Sequence, residues 1–172
     1  MVEEENKISE GIAISIERMI RFCHLTQMTM EYIPRETLPL HLTRAGTLMT
    51  VTCSFLYSLF DKRSDSTNLL RIWTGFDHPF HQELSSIAKK LTPYEDNLYK
   101  LRSRYDFHGS VSRAHEAEGV MIFEDVEKSR KLFEIVHEVK QLAVKMVVWY
   151  MNASEELRPL IPDLQAELLG KA

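Results

Sequence analysis

Residues 98–110 read LYKLRSRYDFHGS, a stretch that predicts an amphipathic helix and around which the rest of the chain can be interpreted. At 3.6 residues per turn, its apolar side chains fall on one face: Leu98, Leu101 and Tyr105. Arg102 and His108 lie on opposite flanks of that face, about 120° apart around the helix axis. Gly109 can adopt the left-handed conformation that ends helices, so His108 would occupy the last turn, where the helix dipole favours an imidazolium.

The composition is that of an ordinary globular domain. The chain has 172 residues, of which 44% are apolar and 27% are charged, so a single domain over residues 1–172 can bury a sizeable core. We interpret the residues from about 151 to 172 as a peripheral C-terminal extension. The net charge of −4 argues against bulk attraction to nucleic acid or anionic lipid, so any site for a polyanion must be local.

The sequence further predicts a cytoplasmic protein. The acidic run Glu3–Glu5 is unlike the positively charged start of a signal peptide. No stretch approaches the roughly 20 apolar residues that span a bilayer, so no membrane contact is expected. Cys23 and Cys53 fall within predicted apolar helix faces, which favours reduced core thiols over a disulfide.

Hydrophobic periodicity predicts an all-α fold, an up-and-down four-helix bundle with short additional helices. The predicted helices cover, approximately, residues 8–32, 40–60, 69–73, 80–91, 93–108 and 123–150. Residues 109–122 are predicted to form a loop. The strongest signal lies in the last helix, whose apolar residues form a seam in alternating steps of four and three: Leu132, Val136, Val139, Ala143, Met146 and Tyr150.

Arg102 and His108 supply two requirements of RNA cleavage by the adjacent ribose hydroxyl. A histidine can remove the 2′-hydroxyl proton near neutral pH, and a guanidinium can neutralise charge on the phosphorane-like transition state. This chemistry needs no metal and no cofactor. Arg104 lies one turn from His108 and can assist. Lys100 and Arg113 add positive charge for binding the substrate.

Less specific interpretations of the same residues stay open. Arginines along an exposed helix commonly form a solvated face, and a histidine before glycine is often only a helix cap. Two further arrangements could suggest a metal site: a lone Glu134-x-x-His137, and His78 and His81 with Glu83 nearby. Neither has a second set of ligands at a fitting spacing, so we interpret them as structural or solvated.

Two segments resemble the HEPN superfamily (higher eukaryotes and prokaryotes nucleotide-binding). Arg102, a polar residue and then His108 after five intervening positions resemble the Arg–polar–x(4–6)–His signature of that superfamily. The sequence SLFDKR at residues 58–63, followed by Ser66 and a Leu-Leu pair, is similar to the end of the second helix in the branch named after abortive-infection protein U. The resemblance extends over roughly residues 40–150.

The resemblance implies a helical bundle that forms a homodimer, with the motifs of both subunits lining one cleft. Many members are metal-independent endoribonucleases, hydrolases that bind RNA in toxin–antitoxin, abortive-infection and other phage-defence systems, and others are inactive binding modules. Arg102 then matches the family arginine and His108 the family histidine. Ser103 stands where asparagine, aspartate or histidine is more usual, and Ser110 where a number of active members have tyrosine. Both serines are candidate helpers.

The implied partners are a second copy of the chain, RNA as substrate and an antitoxin protein. The alternative is a catalytically inactive dimer of the same fold that binds a protein or a nucleotide. Phe60 and Asp61 match residues of the branch that we interpret as packing and helix-terminating.

Overall fold

The computed structural model describes residues 2–32, 39–63, 66, 68–102 and 125–152, and these contain helices, turns and connections but no strand. The α-helices are α1 (Val2–Tyr32), α2 (Pro39–Phe60), α3 (Leu69–Trp73), α4 (His81–Leu91), α5 (Glu95–Lys100) and α6 (Val126–Asn152), with a 3-10 turn at Thr92–Tyr94. The all-α prediction is therefore confirmed. None of these helices is long and apolar enough to cross a membrane.

The described helices differ from the prediction at several boundaries, and most of all at the start of α1. α1 begins at Val2, earlier than the predicted start near Ile8. Residues 3–5 are all glutamate, so the apolar periodicity that predicts the helix begins only at Ile8. α6 ends at Asn152, so it takes in the first residues of the predicted extension. The remainder of that extension, 153–172, and the predicted loop at 109–122 lie outside the described residues.

α1 packs against both α2 and α6, α4 packs against α6 as well, and the shorter helices contribute to the same buried core. The predicted seam of α6 is buried along its whole length: Leu132, Val136, Val139, Ala143, Met146 and Tyr150. α1 contributes a matching buried face at spacings of three and four: Ile12, Ile16, Met19 and Phe22. Burial of these two apolar faces is the main stabilising contribution to the described fold.

Asn68 joins the end of α2 to the start of α3. Its side-chain oxygen caps α3 by accepting hydrogen bonds from the backbone N–H groups of Leu70 and Arg71. Its side-chain NH2 donates to the backbone carbonyls of Phe60 and Asp61, at 3.1 and 3.0 Å. One buried amide therefore satisfies backbone groups of both helices and fixes the turn between them.

Trp73 fastens α3 to the core. Its ring is fully buried, and its Nε1–H donates to the Oγ of Ser15 on α1 at 2.9 Å. Further rings pack around it: Phe76, His78, Phe80 and Trp149. Because Trp149 belongs to α6, this aromatic cluster links the connection between α3 and α4 to the last helix.

The segment that carries Arg102 follows a break at Pro93. Proline lacks a backbone N–H, and Pro93 lies in the 3-10 turn between α4 and α5. α5 then packs against α2. Leu98 and Leu101 are 1% and 0% exposed, so the predicted apolar face is confirmed for both; Tyr105 lies outside the described residues. Leu101 and Arg102 continue α5 in a wider π-type turn that brings Arg102 to the end of α2.

Candidate functional site

Two of the predicted site residues, Arg102 and Lys100, lie within the described part of the chain. The others lie outside it: Ser103, Arg104, His108, Ser110 and Arg113. The pairing of Arg102 with His108 therefore stays a prediction. The surroundings of Arg102 define the candidate site.

Asp61 is the partner of Arg102. Its side chain is only 1% exposed, and its Oδ2 lies 2.7 Å from an Nη1 of Arg102. The same oxygen accepts a hydrogen bond from Nε of Arg63 at 2.9 Å, and Oδ1 accepts one from the backbone N–H of Arg63 at 3.1 Å. One buried carboxylate therefore holds two guanidinium groups that come from separate segments of the chain.

The pKa of Asp61 lies below its ordinary value. Burial opposes ionisation of this carboxyl, but the hydrogen bonds from the Arg63 backbone and from the Arg102 and Arg63 guanidinium groups outweigh that effect. Asp61 is therefore a carboxylate at neutral pH. Charge-assisted pairs of this kind fix the planar guanidinium fork in direction as well as in position.

Arg18 brings a third guanidinium group to the site from α1. One of its Nη atoms donates to the backbone carbonyl and to the Oγ of Ser58, at 2.9 and 2.6 Å. Its Cζ lies 5.9 Å from the centre of the Phe55 ring. Burial, and repulsion from Arg102, lower the pKa of Arg18, and Asp61 only partly offsets this. An anion placed between Arg18 and Arg102 would relieve that repulsion.

These groups line an open cleft of about 680 Å3, which we call the arginine cleft. Its described lining residues are Arg18, Val51, Ser54, Phe55, Tyr57, Ser58, Asp61, Arg63, Tyr99 and Arg102. They include three guanidinium groups and one carboxylate, so positive charge exceeds negative charge in this part of the lining. The volume falls in the usual range of small-molecule sites, and arginine is the residue of choice for phosphate recognition.

Tyr57 forms one aromatic wall of the arginine cleft. The Cζ of Arg102 lies 5.7 Å from the centre of its ring, within the range of a cation–π contact. Burial and the Asp61 carboxylate raise the pKa of Tyr57, while Arg102 and Arg63 act in the opposite direction. Tyr57 is therefore a neutral phenol at physiological pH, and it holds the guanidinium of Arg102 between its ring and Asp61.

Lys100 is not among the described residues that line the arginine cleft. Its Nζ lies 2.9 Å from Asp96, one turn earlier on α5. Of the positive side chains that the sequence singled out and the structure describes, Arg102 is thus the one that lies in the cleft.

The other sequence candidates have local partners. Within the described residues, no group of three or more His, Cys, Asp or Glu side chains is placed to hold a metal ion. His78 is buried with both ring nitrogens hydrogen-bonded to backbone, at Trp73 and Phe80. His137 hydrogen-bonds with Gln141 on the surface of α6. Cys23 is half-buried and Cys53 is buried, and the two are not joined in a disulfide.

The sequence analysis did not identify Arg18 and Arg63, and it interpreted Asp61 as a packing and helix-terminating residue. A signal for Asp61 was present in the sequence. It follows the last residue of α2, where the negative end of the helix dipole disfavours a carboxylate, so a buried aspartate there requires cationic partners. No comparable signal in the sequence marks Arg18, because its place in the site depends on how α1 packs against α2.

Comparison with family models, with curated proteins and with solved structures finds no match to this chain.

Proposed function

We propose that this chain is a metal-independent endoribonuclease of the HEPN type, which cleaves RNA by attack of the ribose 2′-hydroxyl. The observation that supports the proposal best is the arginine cleft. Arg102, the arginine of the motif, lies there beside Arg18 and Arg63, and the three outnumber the single carboxylate Asp61. Attack on a phosphodiester adds negative charge to the phosphoryl oxygens, and fixed guanidinium groups stabilise that charge more in the transition state than in the substrate.

The proposed roles follow from the chemistry of each group. His108 removes the proton of the 2′-hydroxyl, and the oxygen then forms a bond to phosphorus while the bond to the 5′ oxygen breaks. The departing 5′ oxygen takes up a proton from water. Arg102 neutralises the phosphoryl oxygens, with Arg104 as a helper. A guanidinium has five N–H donors, so Arg102 can contact Asp61 and a phosphate at the same time. The expected products are a 2′,3′-cyclic phosphate and a 5′-hydroxyl.

In this proposal the active protein is a twofold homodimer of up-and-down four-helix bundles in the cytoplasm. The spacing of Arg102 and His108 favours such a dimer, because one helix holds them about 120° apart, while two copies can bring both pairs around one groove. A small antitoxin protein, and a place in phage defence, are part of the same proposal. Sedimentation measurements test it, since a chain that stays monomeric at high concentration would contradict a composite site.

The test of activity is cleavage of RNA by the purified chain in the presence of EDTA. We expect cyclic-phosphate products, and no cleavage where the 2′-hydroxyl at the scissile position is replaced by hydrogen. His108→Ala should lower the rate by about 100-fold or more, the usual contribution of general acid–base catalysis. Arg102→Ala should lower it by a similar factor. Cleavage by the His108→Ala variant at the wild-type rate would refute the proposal.

Arg21→Ala provides a matched control for the charge changes. Arg21 lies on α1 like Arg18, but it is exposed and paired with Glu17 one turn away. Arg18→Ala removes a guanidinium from the arginine cleft and should lower the rate of cleavage. Arg21→Ala changes the net charge by the same amount outside the cleft, so it should leave cleavage within about twofold of the wild type. If Arg21→Ala and Arg18→Ala weakened activity equally, net charge rather than the arginine cleft would be responsible.

A second function, a catalytically inactive dimer that binds a protein or a nucleotide, is favoured by one observation. The guanidinium of Arg102 is already paired with a buried carboxylate, as in a purely structural ion pair. In that case the wild-type protein should bind its partner without cutting any RNA. Binding would then weaken in the Arg102→Ala variant and be unchanged in His108→Ala.

A further inference from the structure

A second, smaller cavity of about 260 Å3 adjoins the arginine cleft, and we call it the tyrosine pocket. Its apolar lining comes from Phe60, Leu70, Ala88, Leu91 and Leu98. Tyr57 and Tyr99 line both cavities, with their ring centres 6.0 Å apart. A ligand that placed a charged group among the arginines would therefore reach an apolar pocket directly across two aromatic rings.

The tyrosine pocket is also lined by two carboxylates that can accept hydrogen bonds. Glu95 and Asp96 line it together with Lys62. Glu95 is paired with Lys62 at 2.6 Å, and Asp96 with Lys100 at 2.9 Å. A carboxylate has about four lone-pair sites, so each can accept a further hydrogen bond from a donor in the pocket.

We propose that the tyrosine pocket binds the base of the nucleotide whose phosphate occupies the arginine cleft, and that it selects a base carrying an amino group. The inference rests on the proposed function, which supplies the phosphate-containing ligand. Tyr99 is 50% exposed and offers a ring on which a flat base can stack. Cytosine, adenine and guanine carry an exocyclic amino group that Glu95 or Asp96 can accept from, whereas the base of uridine has no amino group and offers only its ring N3–H.

Calorimetric titration of the wild-type protein with three probes tests the inference: cytidine 3′-monophosphate, uridine 3′-monophosphate and inorganic phosphate. Cytidine monophosphate should bind several-fold tighter than either of the other two. Ala88→Phe places a ring in the pocket, and Tyr99→Ala removes the stacking surface. Each should weaken binding of cytidine monophosphate by about fivefold to a hundredfold, the range seen when a base–aromatic stack is removed. Ala88→Phe, which lies outside the lining of the arginine cleft, should leave phosphate affinity unchanged.

Ser85→Phe is the matched control for Ala88→Phe. It adds the same ring to α4 at an exposed position outside the pocket, and it should leave all three affinities unchanged. Tyr99→Ala keeps the test decisive if Ala88→Phe fails to fold, because Tyr99 is half-exposed.

The outcomes separate this inference from the proposed function. If phosphate does not bind the wild type, both are overturned. Alternatively, phosphate binds and Arg102→Ala abolishes that binding, but cytidine monophosphate binds no tighter than phosphate. That result would overturn only the proposal that the tyrosine pocket binds a base. Unchanged nucleotide affinity in Tyr99→Ala would overturn it too. Equal affinity for cytidine and uridine monophosphates would overturn the selection of an amino group.

Discussion

His78 makes the stability of this fold depend on pH. Its ring is 6% exposed, and the backbone carbonyl of Trp73 and the backbone N–H of Phe80 contact its two nitrogens. A carbonyl can only accept, so Nε2 carries the proton, and Nδ1 must accept from Phe80 at 3.0 Å. Protonation at Nδ1 would turn that acceptor into a donor facing a donor. The folded protein therefore requires the neutral imidazole.

The charges around His78 agree with this assignment. Burial lowers the pKa of His78, and repulsion from the stacked ring of His81, at 3.9 Å between centres, adds to that effect. The hydrogen bond to Trp73 and the negative charge of Asp77 act in the opposite direction without cancelling it. The unfolded chain, in contrast, titrates this histidine near its ordinary pKa of about 6.5.

The sign and size of the effect follow from linkage. Between the ordinary pKa and the lowered folded pKa, the unfolded chain binds a proton that the folded chain does not, so the free energy of unfolding falls as the pH falls. The contribution is fully present above about pH 6.5. At pH 5.5, up to about 1.4 kcal/mol is lost, which corresponds to a fall in Tm of about 3–5 °C for a chain of this length.

Urea unfolding followed by circular dichroism at pH 7.5 and 5.5 measures this loss. His78→Gln removes the titration, so the wild type should lose up to about 1.4 kcal/mol more than this variant between the two pH values. His24→Gln, at an exposed position on α1, should keep the wild-type pH dependence. An identical pH dependence in His78→Gln and the wild type would refute the reasoning, as would nitrogen NMR shifts that place the His78 proton on Nδ1.

Three further predictions concern stability and are measured by the same urea unfolding. Asn68→Ala should cost about 2–3 kcal/mol, because it removes a helix cap and takes one donor from each of two backbone carbonyls. Ser15→Ala should cost about 1–3 kcal/mol, because it leaves the buried indole N–H of Trp73 without an acceptor; a cost near zero would contradict that hydrogen bond. Met146→Ala should cost about 2–5 kcal/mol at a fully buried position, whereas Val148→Ala, 51% exposed, should change the free energy of unfolding by less than about 0.5 kcal/mol.

The helices could be predicted from the sequence because the hydrophobic pattern that indicates each helix lies within that helix. The seam from Leu132 to Tyr150 repeats every three to four residues, and such a pattern indicates both the helix and its buried face before any partner is known. The short helix at residues 69–73 was also predicted, since an apolar run follows a polar stretch there, but the residue that caps it in the structure is Asn68 and not Ser66 or Thr67, which the sequence favoured.

The site was only partly predictable because it depends on long-range contacts. Arg102 was found from a motif within its own helix. Its partner Asp61 lies 41 residues earlier, and Arg18 reaches Ser58 across 40 residues. Which charged side chains meet is decided by the angles at which α1, α2 and α5 pack, and no local spacing encodes those angles. The sequence does indicate a site near Asp61, because a carboxylate next to the negative end of a helix dipole requires cationic partners.

The arginine cleft exists only in the folded chain, because its guanidinium groups come from α1, from the segment after α2 and from the end of α5. An anion that fills it therefore favours folding by mass action, by about 2.7 kcal/mol when it is present at a hundred times its Kd. The melting temperature of this protein should rise with the concentration of such an anion. The lifetime of the protein in a cell would then increase with the concentration of the anion that it binds.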